Sequence, residues 1–189
     1  MSKILVGIRE VRAPQIEAAR KLIRELFDGI TDKGGKPYAE HCERVEAALP
    51  VWVSDDARCA ALLHDVVEDC GVTGGDLRRM GFSDRAVWLV LMLSRMFKEI
   101  TYIDWIKSIA ATGDAELIAI KLSDNLDNSD PVRIAALPPE QRDIARRYER
   151  ARRILGPALE NCKARLADAT NNPVPLTLSD AGSDAEGRG

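Results

Sequence analysis

Apolar residues recur at three- and four-residue intervals from Pro14 to Ala167, and no stretch alternates apolar with polar residues for the length of a strand. That periodicity predicts an all-α fold. Residues 14–30 carry Ile16, Ala19, Ile23, Leu26, Phe27 and Ile30 on one helical stripe, with Pro14 suited to the first turn. After a Gly- and Lys-rich break at 32–37, Tyr38, Cys42, Val45 and Leu49 trace a second helix that Pro50 closes. Ser54 is placed to cap a third helix running to about Asp69. Its inner run from Ala57 to Leu63 has Arg58 as its one charge and is expected in the middle of the core.

Thr73 with Asp76 suits the start of a short helix that Gly81 ends, and Ser83 suits the cap of an apolar helix from Asp84 to about Met96. Further helices are predicted over 102–111 and 114–127. A proline-bracketed loop or short turn at 130–139 then precedes two closing helices, 140–155 and 157–167. Residues 1–168 read as one domain. Residues 169–189, rich in Asn, Pro, Ser, Asp and Gly, lack apolar periodicity and are expected to form a mobile tail.

Composition narrows the partners. With 46% hydrophobic and 30% charged residues the chain has globular rather than disordered character. A net charge of -3 and a pI near 5.5 give no overall attraction to nucleic acid or an anionic membrane. No apolar stretch approaches the ~20 residues of a membrane helix, and the N-terminal apolar patch is too short for a signal peptide. A cytoplasmic location is expected. Cys42, Cys59, Cys70 and Cys162 form no C-x-x-C pair and read as reduced, buried thiols. A homo-oligomer is left open.

The chain has two histidines, and both lie beside acids at helical spacing. His64-Asp65 is followed by Glu68-Asp69, so an unbroken helix stacks His64 over Glu68 and Asp65 over Asp69. Such a cluster also suits a solvated helix end. It directly follows the apolar run Ala60-Ala61-Leu62-Leu63, however, where an unpaired carboxylate is costly and a divalent cation would offset the charge. Asp124 lies in a second apolar helix, Leu117 to Ser123, and likewise wants a partner.

His41, His64, Asp65 and Asp124 form the set H…HD…D, which resembles the signature of the HD phosphohydrolase superfamily. The resemblance extends to RelA/SpoT-type alarmone hydrolase domains. Lys33 to His41 resembles their G-x-P-Y-x-x-H stretch, Ala60 to Asp69 is similar to their A-A-L-L-H-D-x-x-E-D, and Lys121 to Asn128 resembles K-L-A-D-x-x-x-N. The match spans about residues 14–155.

The resemblance implies an orthogonal helical bundle and a metal-dependent hydrolase that takes a phosphorylated nucleotide. Its expected reaction is removal of the 3′-pyrophosphate of guanosine-3′,5′-bis(diphosphate), with Mn²⁺ as cofactor and Fe²⁺ or Zn²⁺ as alternatives. His41, His64, Asp65 and Asp124 become metal ligands, and Glu68 and Asp69 orient or deprotonate the attacking water. Lys33, Tyr38, Lys121 and Asn128 become substrate contacts.

Two positions depart from the family pattern. Asp32 stands where the family has an arginine that stacks on the purine; an acid cannot make that contact and is expected to repel phosphate. Ser129-Asp130-Pro131 replaces a stretch that usually holds Arg and Thr. An adenosine alarmone, a 5′-nucleotidase or dNTP triphosphohydrolase reaction, and a non-enzymatic nucleotide-binding regulator stay open. Arg95, Lys98 and Tyr102 read as exposed loop residues or as a lining of the pocket opposite the metal, and the arginines between 142 and 153 as a solvated or salt-bridged face or a rim that steers phosphate.

Overall fold

The computed structural model describes residues 2–32, 34–97 and 99–171, with side chains described from Pro14 to Asp168 within those ranges. Among the described residues ten α-helices, α1 (Ser2–Leu26), α2 (Tyr38–Ala47), α3 (Asp55–Leu63), α4 (Val66–Cys70), α5 (Gly74–Arg79), α6 (Asp84–Leu93), α7 (Tyr102–Ala111), α8 (Ala115–Asn128), α9 (Pro131–Ala136) and α10 (Ile144–Asn171), follow one another. Among the described residues the only extended pairing is a single bridge, Thr31 to Pro37.

α3 forms the axis of the fold. Its residues Ala57, Cys59, Ala60, Ala61, Leu62 and Leu63 are fully buried, and it packs against α1, α2, α6 and α8. A helix buried on nearly all sides needs small residues where neighbours approach closely, which the alanines supply. Ile23 of α1, Val45 of α2, Leu89 and Val90 of α6, and Leu117, Ile118 and Ile120 of α8 complete the core around it. Deleting one of these leucines typically costs about 2–5 kcal/mol.

The caps form as the sequence predicts. Ser54 accepts from the Ala57 amide, Thr73 makes a reciprocal capping box with Asp76, and Ser83 accepts from the Ala86 amide. The four cysteines are free thiols; three are buried and Cys70 is half-buried.

Several boundaries differ from the sequence reading. α1 begins at Ser2, so Pro14 lies inside it rather than at its first turn. α6 stops at Leu93, because Ser94 turns to an extended backbone with ψ 121, and Met96 is exposed. The proline-bracketed stretch is not simply a loop: it holds α9 and a 3₁₀ turn at Pro139–Gln141. The two predicted closing helices are one, α10, with Pro157 inside it. Ala151, Leu155, Leu159 and Cys162 form a continuous buried stripe through that point. Packing of that stripe outweighs the ~3 kcal/mol that an interior proline costs. α10 passes the expected domain boundary at Asp168 and reaches Asn171; residues 172–189 lie outside the described residues.

Arg85 of α6 fastens the start of α3 to the start of α8. It donates to Asp114 (2.7 and 2.9 Å) and to Glu116 (2.8 Å), while Glu116 accepts from the Ser54 amide (2.7 Å). Burial raises both carboxyls, but the bonds from Arg85 outweigh it and leave Asp114 and Glu116 below their ordinary values. A depressed carboxylate stabilises the fold above its unfolded pKa and loses that contribution as the pH falls through its folded value. Arg85→Gln should therefore cost about 1–2 kcal/mol at neutral pH, discounted for a guanidinium that is partly in water. Urea melts of both proteins as a function of pH should show the difference shrinking below about pH 4; a constant difference would rule the cluster out as its source.

Candidate metal centre

The buried ends of α2, α3 and α8 converge on two imidazoles and two carboxylates. Helix α3 stops at Leu63 because Asp65, at φ −104 and ψ −6, leaves the helical ladder, and α4 restarts at Val66. The expected unbroken helix through Asp69 is thus two helices with a joint at His64-Asp65. Gly71, at φ 69, provides the left-handed turn that ends α4.

His41 Nε2 lies 3.5 Å from Asp124 Oδ1 and 3.8 Å from Asp65 Oδ2; His64 Nε2 lies 3.6 Å and 3.0 Å from the same two oxygens. His41, His64 and Asp124 are buried, and they can each present one atom within 4.8 Å of the others. All four residues predicted as ligands are therefore brought together.

The donor set fits a divalent cation of the first transition row. His64 Nε2 is buried without a hydrogen-bond partner, 3.0 Å from Asp65 Oδ2. Its other nitrogen, Nδ1, is 2.7 Å from the Ala61 carbonyl, which places a proton there and turns Nε2 toward the cluster. Burial alone would lower the His64 pKa and raise that of Asp124. Asp65 and Asp124 instead hold His64 well above its ordinary value, and Lys121 with the histidines holds Asp124 well below its own.

The residues predicted to touch substrate are found mostly on the predicted ligands. The buried Lys121 ammonium donates to Asp124 Oδ2 (2.7 Å) and lies over the Trp105 ring, 4.3 Å from its centroid. Asn128 donates to Asp124 Oδ1. The Tyr38 hydroxyl donates to Asp65 Oδ2 (2.7 Å) and Asp69 Oδ2 (3.3 Å), and burial followed by the Asp65 charge pushes its pKa up. Lys33 lies outside the described residues.

Glu68 and Asp69 are exposed at the edge of the cluster. Glu68 accepts from the Arg95 amide (3.1 Å), and burial together with the Asp65 and Glu68 charges raises the Asp69 carboxyl.

Asp32 does not present a free negative charge. It is buried, accepts from the Gly34 and Lys36 amides (2.8 and 3.1 Å), and pairs with Arg44 (3.0 Å) and more distantly with Arg133 (3.7 Å). Its two arginine partners offset the phosphate repulsion expected of an acid at this position. Asp130 caps α9 by accepting from the Val132 and Arg133 amides. Arg44, Asp127 and Arg133, which surround His41, were not singled out from sequence. The available signals were the three-residue spacings from His41 to Arg44 and from Asp124 to Asp127.

Two cavities flank the cluster. One, of about 290 Å³, is lined by Asp32, Lys36, Arg44, Asp127, Val132 and Arg133 among others. The other, of about 470 Å³, is lined by Arg95, Tyr102, Lys107, Arg147 and Arg150, with the Arg147 guanidinium 4.6 Å from the Tyr102 ring centroid. Arg95 and Tyr102 thus do line a basic depression; Lys98 lies outside the described residues.

This arrangement of helices is the HD-domain fold. Across 80% of this chain and 95% of the other, the structure superposes at TM-score 0.59 and 20% identity on a metazoan ortholog of SpoT described as hydrolysing ppGpp. In sequence the chain resembles RelA/SpoT-type proteins. It is 35% identical over 145 residues to a guanosine-3′,5′-bis(diphosphate) 3′-pyrophosphohydrolase of Vibrio cholerae, covering 70% of this chain and 20% of that protein. It is 30% identical over 146 residues to the bifunctional (p)ppGpp synthase/hydrolase SpoT of Escherichia coli, covering 72% and 20%. A GTP pyrophosphokinase of Streptomyces coelicolor is 32% identical over 126 residues, covering 63% and 15%. The chain thus spans about a fifth or less of the length of these curated relatives. No protein-family model matches it.

Lys121 offsets the buried charge of Asp124, so Lys121→Met leaves a carboxylate unpaired and should cost about 3–5 kcal/mol. Saturating divalent metal should restore part of that loss, because the cation supplies the missing positive charge. Urea denaturation of both proteins with and without metal reads the effect directly; equal losses in the two conditions would show that Lys121 acts through packing alone.

Proposed function

We propose that this chain is a divalent-metal-dependent nucleotide phosphohydrolase that removes the 3′-pyrophosphate of guanosine-3′,5′-bis(diphosphate), with Mn²⁺ as its metal. The observation that carries this reading is the convergence of His41, His64, Asp65 and Asp124, with both Nε2 atoms aimed at a common point. The names of the relatives supply the substrate. A bound divalent ion supplies a water made acidic enough to attack at neutral pH and a Lewis acid for a phosphoryl oxygen.

The chain's own residues do the rest. His41, His64, Asp65 and Asp124 hold the ion, and Lys121 and Asn128 fix the Asp124 carboxylate. Tyr38 steers Asp65 and Asp69 from one hydroxyl. Glu68 and Asp69, exposed beside the ligands, are placed to take the proton from the attacking water. The raised pKa of Asp69 suits an acid that can return a proton to the leaving group. Arg95, Lys107, Arg147 and Arg150 give the larger flanking cavity the charge to hold a polyphosphate. Free thiols throughout suit the reducing cytoplasm as the place of action.

Asp32 favours a second substrate within the same reaction. With an acid turned toward Arg44 and Arg133 where a purine-stacking cation is expected, an adenine alarmone becomes a competitor for guanine.

Metal-stripped protein reloaded with Mn²⁺ should release pyrophosphate from guanosine tetraphosphate, and Asp65→Ala should abolish both metal binding and turnover. Chromatography of the products separates the readings: orthophosphate or tripolyphosphate would point to another phosphohydrolase, and turnover of the adenine analogue alone to a changed base preference. Glu68→Gln and Asp69→Asn should lower kcat by roughly 10²–10⁴ while metal still binds. Unchanged kcat in both would remove them from proton transfer.

A further inference from the structure

The imidazole of His41 is gripped at both nitrogens by one helix. Asp124 stands 3.5 Å from Nε2, and Asp127, three residues further along α8, places Oδ2 2.7 Å from Nδ1. A three-residue step advances about 4.5 Å along a helix and returns to nearly the same face, so α8 can set one carboxylate on each side of the ring.

Asp127 is itself immobilised. Arg44 Nε donates to Oδ1 (2.6 Å), Arg44 Nη2 donates to Oδ2 (3.3 Å), and Arg133 Nη1 donates to Oδ2. Arg44 and Arg133 are in turn paired with the buried Asp32. Two guanidiniums on one carboxylate keep it charged and leave it a single rotamer. Asp127 Oδ2, at 2.7 Å, lies closer to Nδ1 than Arg133 Nη1 at 3.1 Å, and a charged oxygen at that distance favours the proton on Nδ1, because two lone pairs there would repel. His64 meets the same requirement differently, through the Ala61 carbonyl.

We propose that Asp127 is a positioning residue of the metal centre: clamped by Arg44 and Arg133, it holds His41 in the tautomer and orientation that turn the Nε2 lone pair toward the ion. This rests on the reading of His41, His64, Asp65 and Asp124 as a metal site. It accounts for three charged residues beside His41, Arg44, Asp127 and Arg133, that the ligand set leaves unused. Asp32, where a purine-stacking arginine is expected, anchors the two arginines of that clamp.

The test uses the full chain labelled with ¹⁵N-histidine, in which two ring systems give a readable two-bond ¹H–¹⁵N spectrum. Loaded with Zn²⁺, the unsubstituted protein should show both histidines protonated at Nδ1. In Asp127→Asn the His41 Nδ1–H resonance should shift or split between tautomers while that of His64 stays in place. Affinity for Zn²⁺ and Mn²⁺, measured by chelator competition, should fall roughly 10- to 100-fold. Asp127→Glu should recover part of the loss.

His41 found protonated at Nε2 in the unsubstituted protein overturns the proposal without recourse to any variant, so it remains falsifiable even if Asp127→Asn does not fold. So does an Asp127→Asn protein whose affinity and His41 resonance match the original, or one in which His64 is disturbed as much as His41. An unsubstituted protein that binds no divalent ion overturns the metal centre itself and this proposal with it; binding that Asp127→Asn leaves intact overturns the proposal alone.

Discussion

Two imidazoles and two carboxylates brought together at the heart of a helical bundle dominate the energetics of this protein. Asp124 sits one to two turns beyond the fully buried Leu117, Ile118 and Ile120, and His64 directly follows the fully buried Leu62 and Leu63. Taking such groups out of water costs several kcal/mol each unless charge and hydrogen bonds are matched around them. Much of the surrounding structure provides that match. Lys121 faces Asp124, Tyr38 faces Asp65, the Ala61 carbonyl faces His64, and Arg44 and Arg133 neutralise Asp127 behind His41.

The compensation also explains how local structure serves the site. A continuous helix through His64 and Asp65 would have kept Asp65 on the helical ladder, and the break there reorients its carboxylate toward His41 and Tyr38. Ser54, Glu116 and Arg85 fix where α3 begins, and the apolar run behind the break fixes how deep its end penetrates. Rigid placement of this kind is what metal-assisted chemistry requires, since ligands a few tenths of an ångström out of place lose affinity.

The asymmetry of the rim follows from the same charges. Cations gather at Arg95, Lys107, Arg147 and Arg150 on one side, with Asp104 among them. On the other, Arg44 and Arg133 are committed to Asp32 and Asp127. The side holding Asp32 is where the chain departs from the RelA/SpoT pattern. An acid there is compatible with a phosphorylated ligand because its charge is absorbed by its neighbours rather than offered to solvent.

Helical periodicity, caps and the order of the motifs were legible in the chain alone, because they depend on residues within one or two turns of each other. Ser54, Thr73 and Ser83 cap the helices they precede, and the all-α architecture follows from apolar spacing. His41, His64, Asp65 and Asp124 were legible too, through their resemblance to the H…HD…D signature and, for His64, Asp65 and Asp124, through their place beside apolar runs. Tertiary structure alone decided what depends on distant parts of the chain: the break at Asp65, the fusion of the last two helices through Pro157, and the turning of Lys121 and Asn128 onto Asp124. It also decided the cluster of Asp32, Arg44, Asp127 and Arg133 around His41, whose members lie up to 101 positions apart (133 − 32). Spacing along a helix constrains which side chains share a face; only packing decides which charge each of them meets.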